Sequence, residues 1–160
     1  MKMHKTALFL AVILLSVSCG TEPEKRPLAV PGFVKIAGGV LSVEFARTDE
    51  QRAMGLMFRE SLATNAGMVF VFDPPSTPAF YMKNTKVPLD ILFVDEEMKI
   101  VDIQQMAPFD EKNLHRPPSA VKYAIEANRG WSSLHGVKIG DAVSFTDNGR
   151  PLGRPSDGHR

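Results

Sequence analysis

The sequence is poor in the residues that build familiar chemical centres. One cysteine among 160 residues cannot close an internal disulfide or supply a thiolate zinc site. Its four histidines, His4, His115, His135 and His159, are scattered without ligand spacing. The glycines form no GxGxxG or GxxxxGK[ST] loop, and HExxH, the DxDxDG calcium loop and the GxSxG elbow are missing. No metal and no cofactor are expected. An excess of charge of one sign is lacking too: the net charge is +1, and Lys2 and Lys5 lie at the extreme N-terminus. A chain so balanced has no global electrostatic footprint for nucleic acid. With 44% hydrophobic and 23% charged residues, it matches a folded domain and not a disordered or collagen-like chain.

The two ends differ from the middle. Met1-Lys2-Met3-His4-Lys5 precedes an uncharged run from Thr6 to Val17 and then Ser18-Cys19-Gly20. A basic start, a short apolar stretch and small residues before a cleavage point describe a secretory signal over residues 1–18. The run is shorter than the ~20 apolar residues that a membrane-spanning helix needs. Leu15-Ser16-Val17-Ser18-Cys19 resembles the lipobox of bacterial lipoproteins, in which the cysteine is acylated and becomes the first mature residue. Ser16 stands where that motif usually has leucine. The expectation is an exported protein, periplasmic or outer-membrane-anchored through Cys19, with a soluble secreted form as the alternative. Residues 19–32, with Pro23, Pro27 and Pro31, read as a tether. Thr146 to Arg160, rich in proline and glycine, reads as a flexible tail.

Between these ends, residues 33–145 form one domain in which a period of two dominates. Leu41, Val43 and Phe45 alternate with Ser42 and Glu44, giving a strand with one polar face. Gly67 to Phe72 is a continuous apolar run stopped by Asp73-Pro74-Pro75, as expected of a strand buried on both faces. Further strands are expected over Ala79 to Thr85, Asp90 to Val94, Lys99 to Ile103, Tyr123 to Ala127 and Asp141 to Phe145, with Asp95 to Met98 as a hairpin turn. Six or seven short strands indicate a mainly β, compact antiparallel sandwich or jelly-roll-like barrel. One short helix is well marked: Thr48 and Gln51 have capping-box spacing, Asp49 and Glu50 suit its first turn, and Gly55 is placed to end it. Trp131 to Leu134 is a second candidate turn of helix.

Three phrases are long enough to carry a resemblance. They are Arg52-Ala53-Met54-Gly55-Leu56-Met57-Phe58-Arg59, then Gly67 to Phe72, then Phe80-Tyr81-Met82-Lys83-Asn84-Thr85-Lys86-Val87-Pro88-Leu89-Asp90-Ile91. Together with the Gly136 to Val143 turn and strand they resemble domain-of-unknown-function family 192 of bacteria and archaea. Tyr81 stands for that family's usual tryptophan, and Met98 occupies a turn where its members often have glycine. The resemblance implies a compact, mainly antiparallel β fold and brings no assigned activity.

The residues themselves suggest a site. On a regular strand Lys83 and Asn84 cannot both face inward, so a local irregularity is expected there. Arg52, Arg59, Lys83, Asn84 and Asp90 are expected to converge as a polar recess rimmed by Tyr81 and Phe80. The competing expectation is that Arg52 and Arg59 lock the helix to the sheet through carbonyls and carboxylates, while Asn84 caps a turn. Ser132 and Ser133 follow Gly130 but lack the second glycine of a nucleophile elbow. Three functions follow from these residues. One is a monomeric domain binding a small polar or glycan-like ligand through Tyr81 and the arginines. Another is an enzyme using a desolvated Lys83, or Glu44 and Asp90 as a carboxylate pair. The last is a structural lipoprotein that meets another envelope protein through Asp73 to Pro78 or Ala107 to Ala120.

Overall fold

The structure is a computed structural model describing residues 32–152. The leader, Cys19 and nearly all of the tether, like residues 153–160, lie outside the described residues. Within them the chain is mainly β: β1 (Gly32–Ile36), β2 (Gly39–Ala46), β3 (Ala66–Ser76), β4 (Leu89–Val94), β5 (Ile100–Met106), β6 (Val121–Asn128), β7 (Val143–Asp147) and β8 (Arg150–Leu152). Two short helices join them, α1 (Asp49–Met54) and α2 (Trp131–Leu134).

All eight strands belong to one sheet, in the order β5-β4-β6-β3-β2-β1-β7-β8. Every pairing is antiparallel except β2 with β3. A parallel pair cannot be closed by a tight turn, so the chain crosses over between them through α1. The sheet then curls until the β4–β5 hairpin reaches the start of β7. A bridge joins Lys99 to Ala142, and the Ile100 amide donates to the Asp141 carbonyl at 3.0 Å. Seven strands thus form a ring closed at one end.

Curling gives the central strands two buried faces. Val69, Ile125 and Leu92 lie in one cross-strand row and face the inside of the ring, packed with Val34, Leu41, Phe145 and Trp131. Phe70, Ala124 and Phe93 form the next row and face outward, beneath Leu56, Met82 and Val87. The run Gly67 to Phe70 is buried throughout, as its lack of alternation implied, whereas Val71 and Phe72 are only half-buried.

The helix α1 forms as its sequence dictates. The Gln51 amide donates to Thr48 Oγ1 at 3.2 Å, and the Thr48 amide donates to Gln51 Oε1 at 3.1 Å. Gly55 ends the helix at φ 47°, a region that favours glycine. Two expectations need correction. Ala79 to Thr85 is not a strand; its single bridge joins Phe80 to His115. Asn84 adopts φ 52°, so Met82 and Thr85 both turn inward and the period of two is broken. The segment instead bonds to the loop after β5, through Met82 to the Asp110 carbonyl and Phe109 to the Thr85 carbonyl. The tail, second, does not begin at Thr146. Asn148 and Gly149, with φ 48° and 75°, turn the chain into β8, as an Asn-Gly pair favours.

Candidate functional site

The outer face of β3 and β6 is covered by α1 with the turn after it on one side and by residues 78–85 on the other. The cover is incomplete. A recess of about 240 Å³ remains, walled by Arg52, Leu56, Met57, Phe70, Phe72, Phe80, Tyr81, Thr85 and Glu126, among others. Its aromatic wall is braced: Phe80 meets Phe70 edge to face at 4.9 Å and Phe72 at 6.4 Å between ring centroids. Tyr81 stands at the mouth, 43% exposed.

Glu126 lies at the foot. It occupies the middle of β6, opposite Met68 on β3 and Ile91 on β4, so both cross-strand neighbours are apolar. It is only 6% exposed, and its carboxyl makes no hydrogen bond with any described residue. Burial pushes its pKa up from 4.5 to about 8, against the opposing pull of the Arg59 charge. At neutral pH the folded protein therefore holds this carboxyl protonated. Such a group is a donor and an acceptor in an apolar recess, with both capacities unspent.

The two arginines near it are committed elsewhere. Arg59 donates through both terminal nitrogens to Glu44, at 2.6 and 2.7 Å; this bidentate bond chiefly raises its pKa further. Arg52 donates to the carbonyls of Arg47 at 2.5 Å and Val71 at 2.8 Å and pairs with Asp49. Its guanidinium also lies over the Phe72 ring, 5.7 Å from the centroid. Both arginines thus fasten the cover to the sheet, the locking role weighed from the sequence. Arg52 still forms part of the recess wall.

The sequence candidates separate accordingly. Arg52 and Tyr81 line the recess, and Arg59 acts on Glu126 electrostatically. Lys83 is exposed and does not line it. Asn84 serves as a turn, its carbonyl accepting from the Phe58 amide at 2.8 Å. Asp90 is fully buried on the inner face, one residue out of phase with Ile91 and Glu126. It accepts from the Gly130 amide at 3.0 Å and from the Ser132 amide at 3.1 Å, and from the Ser132 hydroxyl. Asp90 thereby caps the short helix α2 and holds Ser132 in a structural role. Glu44 shares the row of Met68 and Glu126, so Glu44 and Asp90 point to opposite faces and cannot act as a carboxylate pair. Among the described residues no group of three or more metal-ligating side chains occurs.

Sequence reading passed over Glu126. It sits where β6 alternates Tyr123, Ile125 and Ala127 with polar residues, the usual mark of a solvent face. Its burial follows from the neighbours that flank it, which one strand alone does not reveal.

These motifs and this fold meet in one family, whose match runs over residues 33–145. The chain belongs to domain-of-unknown-function family 192, described as an uncharacterized ACR family. Two solved structures are similar to it. One is a protein of unknown function from Novosphingobium aromaticivorans, 34% identical, covering 78% of this chain and 93% of that one, with a TM-score of 0.67. The other, from Sinorhizobium meliloti, is described as a candidate transcription regulator; it is 30% identical over 74% of this chain and 96% of its own, with a TM-score of 0.69. No curated protein matches. Of this member's two departures from the family 192 pattern, Tyr81 keeps an aromatic ring at the recess mouth. Met98 adopts φ 61°, a backbone that glycine takes without strain.

Proposed function

We propose that this family 192 member is an exported domain that binds a small molecule in the recess above Glu126. The observation carrying this reading is the unpartnered Glu126 carboxyl at the foot of an aromatic-walled recess. A buried polar group without a hydrogen bond costs about 1–3 kcal/mol, and a ligand that satisfies it recovers that cost. The recess is smaller than the ~300–1,000 Å³ typical of drug-sized ligands, which favours a compact molecule with an apolar body and one polar end. That is narrower than the glycan class suggested by the sequence, since Lys83 and Asp90 are not at hand to read several hydroxyls.

The N-terminal lipobox resemblance supports attachment of this domain to a membrane through Cys19, with the recess presented to the envelope space. Binding is tested by a thermal-shift screen of residues 20–160 against small neutral, anionic and cationic compounds. A hit raises the melting temperature of the parent, and the shift shrinks in Glu126→Gln and Tyr81→Ala. No shift with any compound class contradicts the reading.

A further inference from the structure

The recess has a chemical bias that narrows its ligand, an inference resting on the binding reading above. An anion would meet the Glu126 carboxyl at the foot, and most of the side-chain donors of the described residues around the recess are already engaged. Arg52 is spent on two carbonyls and Asp49, and the Thr85 hydroxyl donates to the Lys83 carbonyl at 3.1 Å. Arg59, which does not line the recess, is clamped to Glu44 through both terminal nitrogens and keeps only its Nε–H without a partner. What is left uncommitted at the foot is the Glu126 carboxyl, which is an acceptor alone once it is ionised, and the recess wall carries the rings of Phe70, Phe72, Phe80 and Tyr81. Ring faces attract cations, most strongly where water is excluded. One of these rings already does so, since Phe72 lies under the Arg52 guanidinium.

We infer that the recess takes a small organic ammonium ion, held by the Glu126 carboxylate at its foot and by the aromatic rings of its wall. The groups that set the charge state of Glu126 come from every side. Arg59 follows α1, Arg52 lies on it, Glu44 is on β2 and Tyr81 is at the mouth, while β3 and β4 offer only Met68 and Ile91. Each arginine has its own carboxylate, so neither supplies Glu126 with a dedicated counter-ion. The arriving cation supplies it. As a permanently charged ammonium enters well below pH 8, the carboxyl gives its proton to water, and the O–H bond that breaks is replaced by an ion pair; about one proton is released for each ligand bound there, and none once the carboxyl is already ionised. Affinity therefore rises with pH until the carboxyl is ionised in the empty protein, about pH 8, and then levels off.

The test titrates the domain with tetramethylammonium chloride at pH 6, 7, 8 and 9, with sodium chloride holding ionic strength constant. The aromatic proton NMR shifts of the recess report binding. The expected result is a Kd falling about tenfold from pH 6 to 7, about fivefold from pH 7 to 8 and less than twofold from pH 8 to 9, with binding lost in Glu126→Gln at every pH. The fold of that variant is checked by its amide spectrum. A Kd independent of pH, or binding retained by Glu126→Gln, overturns the inference. If neutral or anionic compounds bind the recess and tetramethylammonium does not, the ammonium assignment falls and the binding site stands. If no compound of any class binds, both fall.

Discussion

Glu126 and Asp90 show how one position along a strand decides what a carboxylate does. Both are buried in the sheet, but Asp90 meets the start of α2 and finds three donors, whereas Glu126 meets an apolar row and finds none among the described residues. Replacing Asp90 with Ala strands the Gly130 and Ser132 amides and should cost about 3 kcal/mol or more in urea unfolding. The change Glu126→Gln should act in the opposite direction. The folded pKa of about 8 lies above the unfolded value of 4.5, so between the two the folded protein carries a proton that the unfolded chain lacks. Parent stability should therefore fall as pH rises from about 4.5 to 8, by at most about 1.4 kcal/mol per unit, and flatten above. The glutamine variant should show no such decline from this position, and urea midpoints at pH 5 and pH 8 check it. Lys83→Met, at an exposed position, should change stability by no more than about 0.5 kcal/mol.

At the scale of elements, α1 was the most legible feature because its signals are local. Thr48, Gln51 and Gly55 each act within one turn of their own position, and each acts as its residue type requires. Thr48→Ala should cost about 1 kcal/mol. Gly55→Val should cost more, since the backbone lies at φ 47° and a Cβ would come 3.3 Å from the Phe70 ring; denaturant unfolding of both variants gives the comparison. Residues 79–85 misled because alternating apolar and polar side chains record burial, not ladder pairing. Here the alternation covers the outer face while the backbone bonds to the loop after β5, and the left-handed Asn84 ends any regular strand. The β7–β8 turn carries its signal in Asn148-Gly149, but the whole segment reads as a tail because proline and glycine surround it and β8 has only three residues.

For the whole molecule, the count of short alternating strands pointed to a mainly β fold, and the eight-stranded curled sheet agrees. The candidate site was legible only in part. Arg52 and Tyr81 reach the recess, but the sequence contains no sign that Glu44 and Glu126 share a face from which Asp90 is excluded, because that depends on the register of four strands. Placement in the cell rests on the chain ahead of β1. Cys19→Ser should move the protein from the membrane to the soluble envelope fraction, and unchanged fractionation would contradict the lipid anchor. Everything proposed for the recess depends on one largely buried carboxyl, Glu126, left without a hydrogen-bond partner among the described residues at its foot. A carbon-13 NMR titration of the side-chain carboxyls, with the Glu126 resonance assigned by its loss in Glu126→Gln, measures this directly. A midpoint near 8 is expected for Glu126; a midpoint near 4.5 would mean that the carboxyl is solvated or already paired, and would contradict its place at the foot of the recess.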